Sequence, residues 1–153
     1  MPDPNRLKRK KKSKSSIEDT LKSYDYNYAF THMQFNFSFI TTSNSRNISS
    51  LTKAEKALLS DRLYDMSNES FEQVMLRGKE RGFETIGKND LRLNCHCAEE
   101  FYSDDYRNRN CPDKYWIFRL HPNNQGSDCR ILGKIIDRVF YVMFFYVGHE
   151  CYK

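Results

Sequence analysis

The chain has 153 residues, 39% apolar and 14% aromatic, with 25 Lys or Arg against 20 Asp or Glu and a formal charge of +5. That is one domain's worth of sequence with an aromatic-rich core. Its longest apolar run, Val139 to Val147, is nine residues, about half of the ~20 a membrane helix needs, so a membrane partner is not expected. No apolar block follows Met1 as a secretory signal would require. The five cysteines, an odd number, fit reduced thiols better than a disulfide framework. A cytoplasmic protein is expected.

The positive charge is local. Residues 1–14 carry seven bases (Arg6, Lys8, Arg9, Lys10, Lys11, Lys12 and Lys14) and one acid, Asp3, a net of +6; the other eighteen bases and nineteen acids leave the rest at −1. Such a run repels itself and has nothing apolar to bury, so 1–14 is expected to be a disordered tail. Lysines and arginines at this density attract phosphate, and the seven are the candidate nucleic-acid-binding residues. A solubilising tail or an import signal draws on the same composition. Residues 15–29 read as a polar linker or a short helix around Ile17 to Ser23, and 30–153 as an α+β domain.

In that domain, HMQFNFSFI alternates Met33, Phe35, Phe37 and Phe39 with polar residues, the period of a half-buried strand. Turn formers follow in TTSNSRNISS. Thr52 and Glu55 form a capping box opening a helix whose inner face is Ala54, Leu58, Leu59, Leu63 and Met66. Ser70 and Gln73 open a second helix with Phe71, Val74, Met75 and Gly78 inward and Gly82 as its stop, which makes a helical hairpin. FETI is a short strand at most, and Gly87 to Asp113 is polar and loop-like. KYWIFRL then places Tyr115, Ile117 and Arg119 on one face and Trp116, Phe118 and Leu120 on the other. CRILGKII and VFYVMFFYV follow, joined tightly through Asp137–Arg138, and the last lacks alternation, as a central strand covered on both faces does. The expected fold is a strand, a two-helix hairpin and a three-stranded antiparallel meander, with the helices on one face of the sheet.

Two clusters carry metal chemistry in principle. Cys95, His96 and Cys97, with Cys111, are zinc donors by type. Structural zinc sites use Cys-x₂₋₄-Cys pairs, however, and here a single Cys-x-Cys needs a remote fourth ligand such as His121 or Cys129. Unliganded thiols, and no metal, are the default reading. Glu99, Glu100, Asp104 and Asp105 sit among Tyr102, Tyr106, Arg107 and Arg109, and read as a solvated loop. Phosphate loops, nucleophile elbows and paired-histidine zinc motifs are absent from the sequence, so no cofactor is expected.

The element order, the strands KYWIFRL and CRILGKII, and the closing VGHECYK together resemble the RelE/ParE-like superfamily of small bacterial toxins over residues 30–153. The resemblance implies an endoribonuclease of the mRNA interferase type, which cleaves RNA without a metal, commonly on the ribosome. It also implies an antitoxin partner and inhibition of translation. On this chain it assigns a phosphate-stabilising role to Arg130, acid or base work to His149, base stacking or phosphate positioning to Tyr152, and a second cation to Arg119. A guanidinium holds two phosphate oxygens at once, and an imidazole titrates near the working pH. The slightly acidic body, and Trp116 and Phe118 where RelE-type members carry lysines, point to the alternative: a non-catalytic interaction protein on the same fold. That would be a phage or plasmid regulator or inhibitor binding a host protein or nucleic acid.

Overall fold

The computed structural model describes residues 31–91, 99–125 and 127–146. Five strands form one mixed sheet: β1 (Gln34–Asn36), β2 (Phe83–Ile86), β3 (Tyr115–Arg119), β4 (Arg130–Ile136) and β5 (Val139–Tyr146), ordered β1-β5-β4-β3-β2. β2 to β5 are antiparallel neighbours in sequence, and β1 closes the far edge parallel to β5. FETI is thus a full member, and the meander has four strands where three were expected. β5 lies between β1 and β4 and both its faces are packed, Phe140, Val142 and Phe145 in one apolar cluster and Met143, Phe144 and Tyr146 in another, which is why its sequence has no polar face.

The helices are α1 (Lys53–Ser67), α2 (Phe71–Met75) and α3 (Asp105–Asn110). Both expected capping boxes form. Thr52 Oγ1 accepts from Glu55 N–H at 3.2 Å while Glu55 Oε2 accepts from Thr52 N–H at 2.8 Å, and Ser70 and Gln73 do the same. α2 is shorter than its pattern suggests, ending at Met75, so Gly82 is not its stop. Gly82 instead lies in the turn into β2, where a β-carbon would meet Arg77 Cβ at 2.7 Å.

Two apolar layers sandwich the sheet. On one face Leu59, Met66 and Val74 of α1 and α2 pack on Phe83, Phe118, Ile131, Phe140 and Phe145. Rings dominate this layer, with Phe118 and Phe140 centroids 5.1 Å apart edge-on and Phe83 stacked on Phe140 at 5.4 Å. The other face, expected to lack helices, is covered as well: Phe101 packs with Tyr115, Ile117, Leu132, Met143 and Phe144. Phe101 stands in the 3-10 helix Glu99–Ser103, and Asp104 then caps α3 by accepting from Arg107 N–H. This corrects the expectation of a solvated loop in part. The carboxylates are exposed, but Phe101 is fully buried. Burying a phenylalanine contributes about 1.5–3 kcal/mol, against roughly 0–1 for an exposed ion pair, so the ring holds this segment down.

Ala54 is exposed, and Phe39 joins the Phe101 layer, leaving the Met33–Phe35–Phe37 face. The chain turns between them, where Asn36 Oδ1 accepts from Ser38 N–H at 2.9 Å. Segment 41–46 then runs beside β5, Thr41 N–H donating to Met143 O and Phe145 N–H to Arg46 O. β4 and β5 meet at Asp137 and Arg138, whose φ values of 50° and 67° are those of a type I′ hairpin turn.

Candidate functional site

At one end of the sheet the last residue of β3, the first of β4 and the last of β5 stand in a single register row. Arg119 is opposite Arg130, and Arg130 opposite Tyr146. Adjacent strands lie about 4.8 Å apart, so the two arginines are side-by-side neighbours. They share the face of Ile117 and Leu132, which are opposed two residues further along. Arg46 adds a third cation, its guanidinium 4.7 Å from the centre of the Tyr146 ring.

The arginines differ in setting. Arg130 is 1% exposed, and one terminal nitrogen donates to Asp128 O at 2.7 Å. Arg119 is half-buried; its Nε is a buried atom with no acceptor among the described residues. Its carbonyl is occupied, accepting from Arg62 Nε at 3.0 Å.

Arg62 leads to the helix side of the same sheet end. This arginine, 4% exposed, lies on the inner face of α1. Besides Arg119 O it donates to Asp65 Oδ2 at 3.0 Å and to Arg81 O at 2.8 Å. Arg77 reaches the same Asp65 oxygen at 2.8 Å and Glu69 at 3.2 Å. Hydrogen bonding from Arg77 foremost holds the Asp65 carboxyl below the usual carboxylate range, opposed by partial burial and helped by Arg62. Burial pulls the Arg62 guanidinium below its ordinary value, with Asp65 acting against that.

Over this network opens a cleft of about 880 Å³, walled by Lys79, Arg81, His121, Asn123 and Gln125. His121 Nδ1 lies 2.7 Å from Pro122 O. A carbonyl only accepts, so Nδ1 is a nitrogen that carries hydrogen. Nearby, Ser127 joins α1 to the start of β4 by donating to Glu55 and accepting from Cys129 N–H.

Of the residues singled out from sequence, Arg119 and Arg130 are brought together. His149, Tyr152, Cys95, His96, Cys97 and the seven tail bases lie outside the described residues. The zinc alternative loses a ligand pair: Cys111 packs with the Phe101 layer and Cys129 with the opposite one. Burial foremost, then Glu55, pushes the Cys129 thiol up to about 12, far from the thiolate a metal or a nucleophile needs. Among the described residues no group of three or more His, Cys, Asp or Glu is placed to hold a metal, and no helix is long and apolar enough to cross a membrane.

Sequence reasoning missed Arg62, Arg46 and Tyr146. Arg62 had a visible signal, since it falls three after Leu59 and four before Met66, on the buried stripe of α1; its charge disguised it. Comparison of the chain with protein-family models, with curated proteins and with solved structures returned no match.

Proposed function

We propose that the chain is a RelE/ParE-like, RNA-directed endoribonuclease that cleaves messenger RNA, on the ribosome, by metal-independent acid–base chemistry. One observation supports this most: Arg119 directly opposite Arg130. Like charges opposed on neighbouring strands cost stability, and an anion seated between or beside them reverses the sign. An RNA phosphodiester is such an anion. Arg119, the more open of the two arginines, is the one that grips phosphate oxygens. Arg130, buried and held to Asp128 O, supplies field and fixes the sheet end.

In this reading a base takes the proton of the 2′-hydroxyl, and the 2′-oxygen bonds to phosphorus. The bond from phosphorus to the 5′-oxygen breaks, and an acid delivers a proton to the leaving oxygen. The products are a 2′,3′-cyclic phosphate and a free 5′-hydroxyl. Charge building on the non-bridging oxygens is what the arginine stabilises. His149 is the proposed acid or base and Tyr152 the residue that positions the phosphate or stacks on a base. The tail raises encounter with the polyanion, and a small antitoxin protein is the proposed regulatory partner.

Incubation with translating ribosomes, with cut sites mapped on the message, tests this. His149→Ala with Tyr152→Phe, and separately Arg119→Gln, should each lower the cleavage rate by about 100-fold or more. If the double variant cuts as fast as wild type, the catalytic assignment is wrong. The 1% exposure of Arg130 favours a second reading, a non-catalytic binder. Its mark is RNA or protein retention at wild-type strength with no cuts by any variant or by wild type.

A further inference from the structure

We infer that the cleft beside His121 is a second subsite for single-stranded RNA, taking the nucleotide next to the one whose phosphate lies at Arg119. The inference rests on the RNA reading above and extends it to the other side of the sheet end. Three features of the cleft match a nucleotide. Its floor is electrically satisfied, because Arg62 and Arg77 are balanced by Asp65 and Glu69, so the cations left over are at the rim, on Lys79 and Arg81, with Glu80 the acid there. A recess of about 210 Å³ adjoins it, sharing Arg62, Asp65, His121 and Pro122 and lined further by Leu58, Leu120 and the carboxylate of Asp61. The side-chain amides of Gln125 and Asn123 in the cleft wall offer donors and acceptors.

A cationic rim suits a phosphate, the amides a base edge, and the Leu58, Leu120 and Pro122 part of the recess a base face. At about 880 Å³ the cleft falls within the range of small-ligand sites. Its position connects it to the arginine row. His121 follows Arg119 by two residues, about 7 Å of extended chain, and Arg62 touches both, lining the cleft and donating to Arg119 O. A strand leaving Arg119 therefore reaches the cleft by passing around the end of β3.

The experiment measures binding of a fluorescent single-stranded oligonucleotide to the full chain as a function of salt. It compares wild type, a Lys79→Ala/Arg81→Ala/His121→Gln variant and Arg119→Gln. The triple variant leaves the ion network whole, because Arg81 contributes only its carbonyl to it. It should bind about 10-fold more weakly, with a logarithmic salt slope shallower by about 1.4, the share of two phosphate contacts on a single strand. Affinity and slope unchanged in the triple variant, while Arg119→Gln weakens binding, would sink the subsite and leave the arginine row standing. The reverse pattern, together with no cleavage by wild type, keeps the subsite and removes the enzymatic reading. Photo-crosslinking of a 4-thiouridine oligonucleotide to wild type gives a measure independent of folding. Adducts are expected on residues 77–81 and 121–125, and their absence there overturns the inference.

Discussion

At Gly133 a β-carbon would lie 2.7 Å from the Phe140 ring and closer still to the Tyr141 carbonyl. The register of β4 on β5 shifts here: Leu132 pairs with Phe144 and Gly133 with Val142, leaving Met143 as an extra residue. Met143 and Phe144 consequently both enter the Phe101 layer. Gly133→Ala should lower stability by about 1–3 kcal/mol, the cost of overpacking, seen as a lower denaturant midpoint at unchanged m-value. Lys134, next in the chain, is 2% exposed. Its ammonium donates to the carbonyls of Pro112, Asp113 and Lys114 at 2.8–3.1 Å and lies 3.9 Å from the centre of the Tyr115 ring. Composition reads a lysine as surface. Only the three carbonyls converging from the segment before β3 make its burial tolerable, and no local pattern announces them.

Among the elements, α1 and the turn before β2 are held together by charge as much as by apolar packing. Asp65 accepts from Arg62 of its own helix and from Arg77, which lies beyond α2. Its carboxyl titrates below its ordinary value, so folding favours the ionised form. That contribution is complete above the unfolded carboxyl pKa of about 4 and fades as pH falls through the lower folded value. Wild type should therefore lose stability on acidification from about pH 4 downward, and Asp65→Asn should lose less over the same range, as followed by thermal melting against pH. At neutral pH Asp65→Ala should cost about 1–2 kcal/mol, since the buried Arg62 loses an acceptor; the Asp65 side chain is 53% exposed, and solvent screening keeps the figure low. The capping boxes that start α1 and α2 were legible because each depends on residues three apart. The early end of α2 was not, because nothing in its pattern reveals that Arg77 and Gly82 are taken up by the turn.

For the whole molecule the charge distribution separates attraction from chemistry. Seven bases lie in residues 1–14 and the remainder is at −1, whereas the arginine row is a local feature of the sheet end. Deleting residues 1–14 should flatten the logarithmic salt dependence of RNA binding by about 0.7 for each phosphate that the tail neutralises, with cut positions on the message unchanged. Cuts that move or vanish at saturating protein would mean that the tail selects the site. Reading the strands in order was sufficient for the α+β class and for the antiparallel run of β3, β4 and β5, since sequential strands with tight connections pair. β1, parallel to β5 from the far end of the chain, and the Phe101 layer on the second face depend on packing between distant segments.

By itself the sequence determined the alternating and continuous strands, the two capped helices, the tight turn at Asp137–Arg138 and the separation of a basic tail from a near-neutral body. Each is written in a period, a cap or a composition that acts over a few residues. Tertiary structure alone decided that Arg119 faces Arg130, that a cleft opens over Arg62, and that Cys111 and Cys129 lie on opposite sides of a sheet. Those facts depend on register and on which face each layer covers, and register is set by the packing of the complete core.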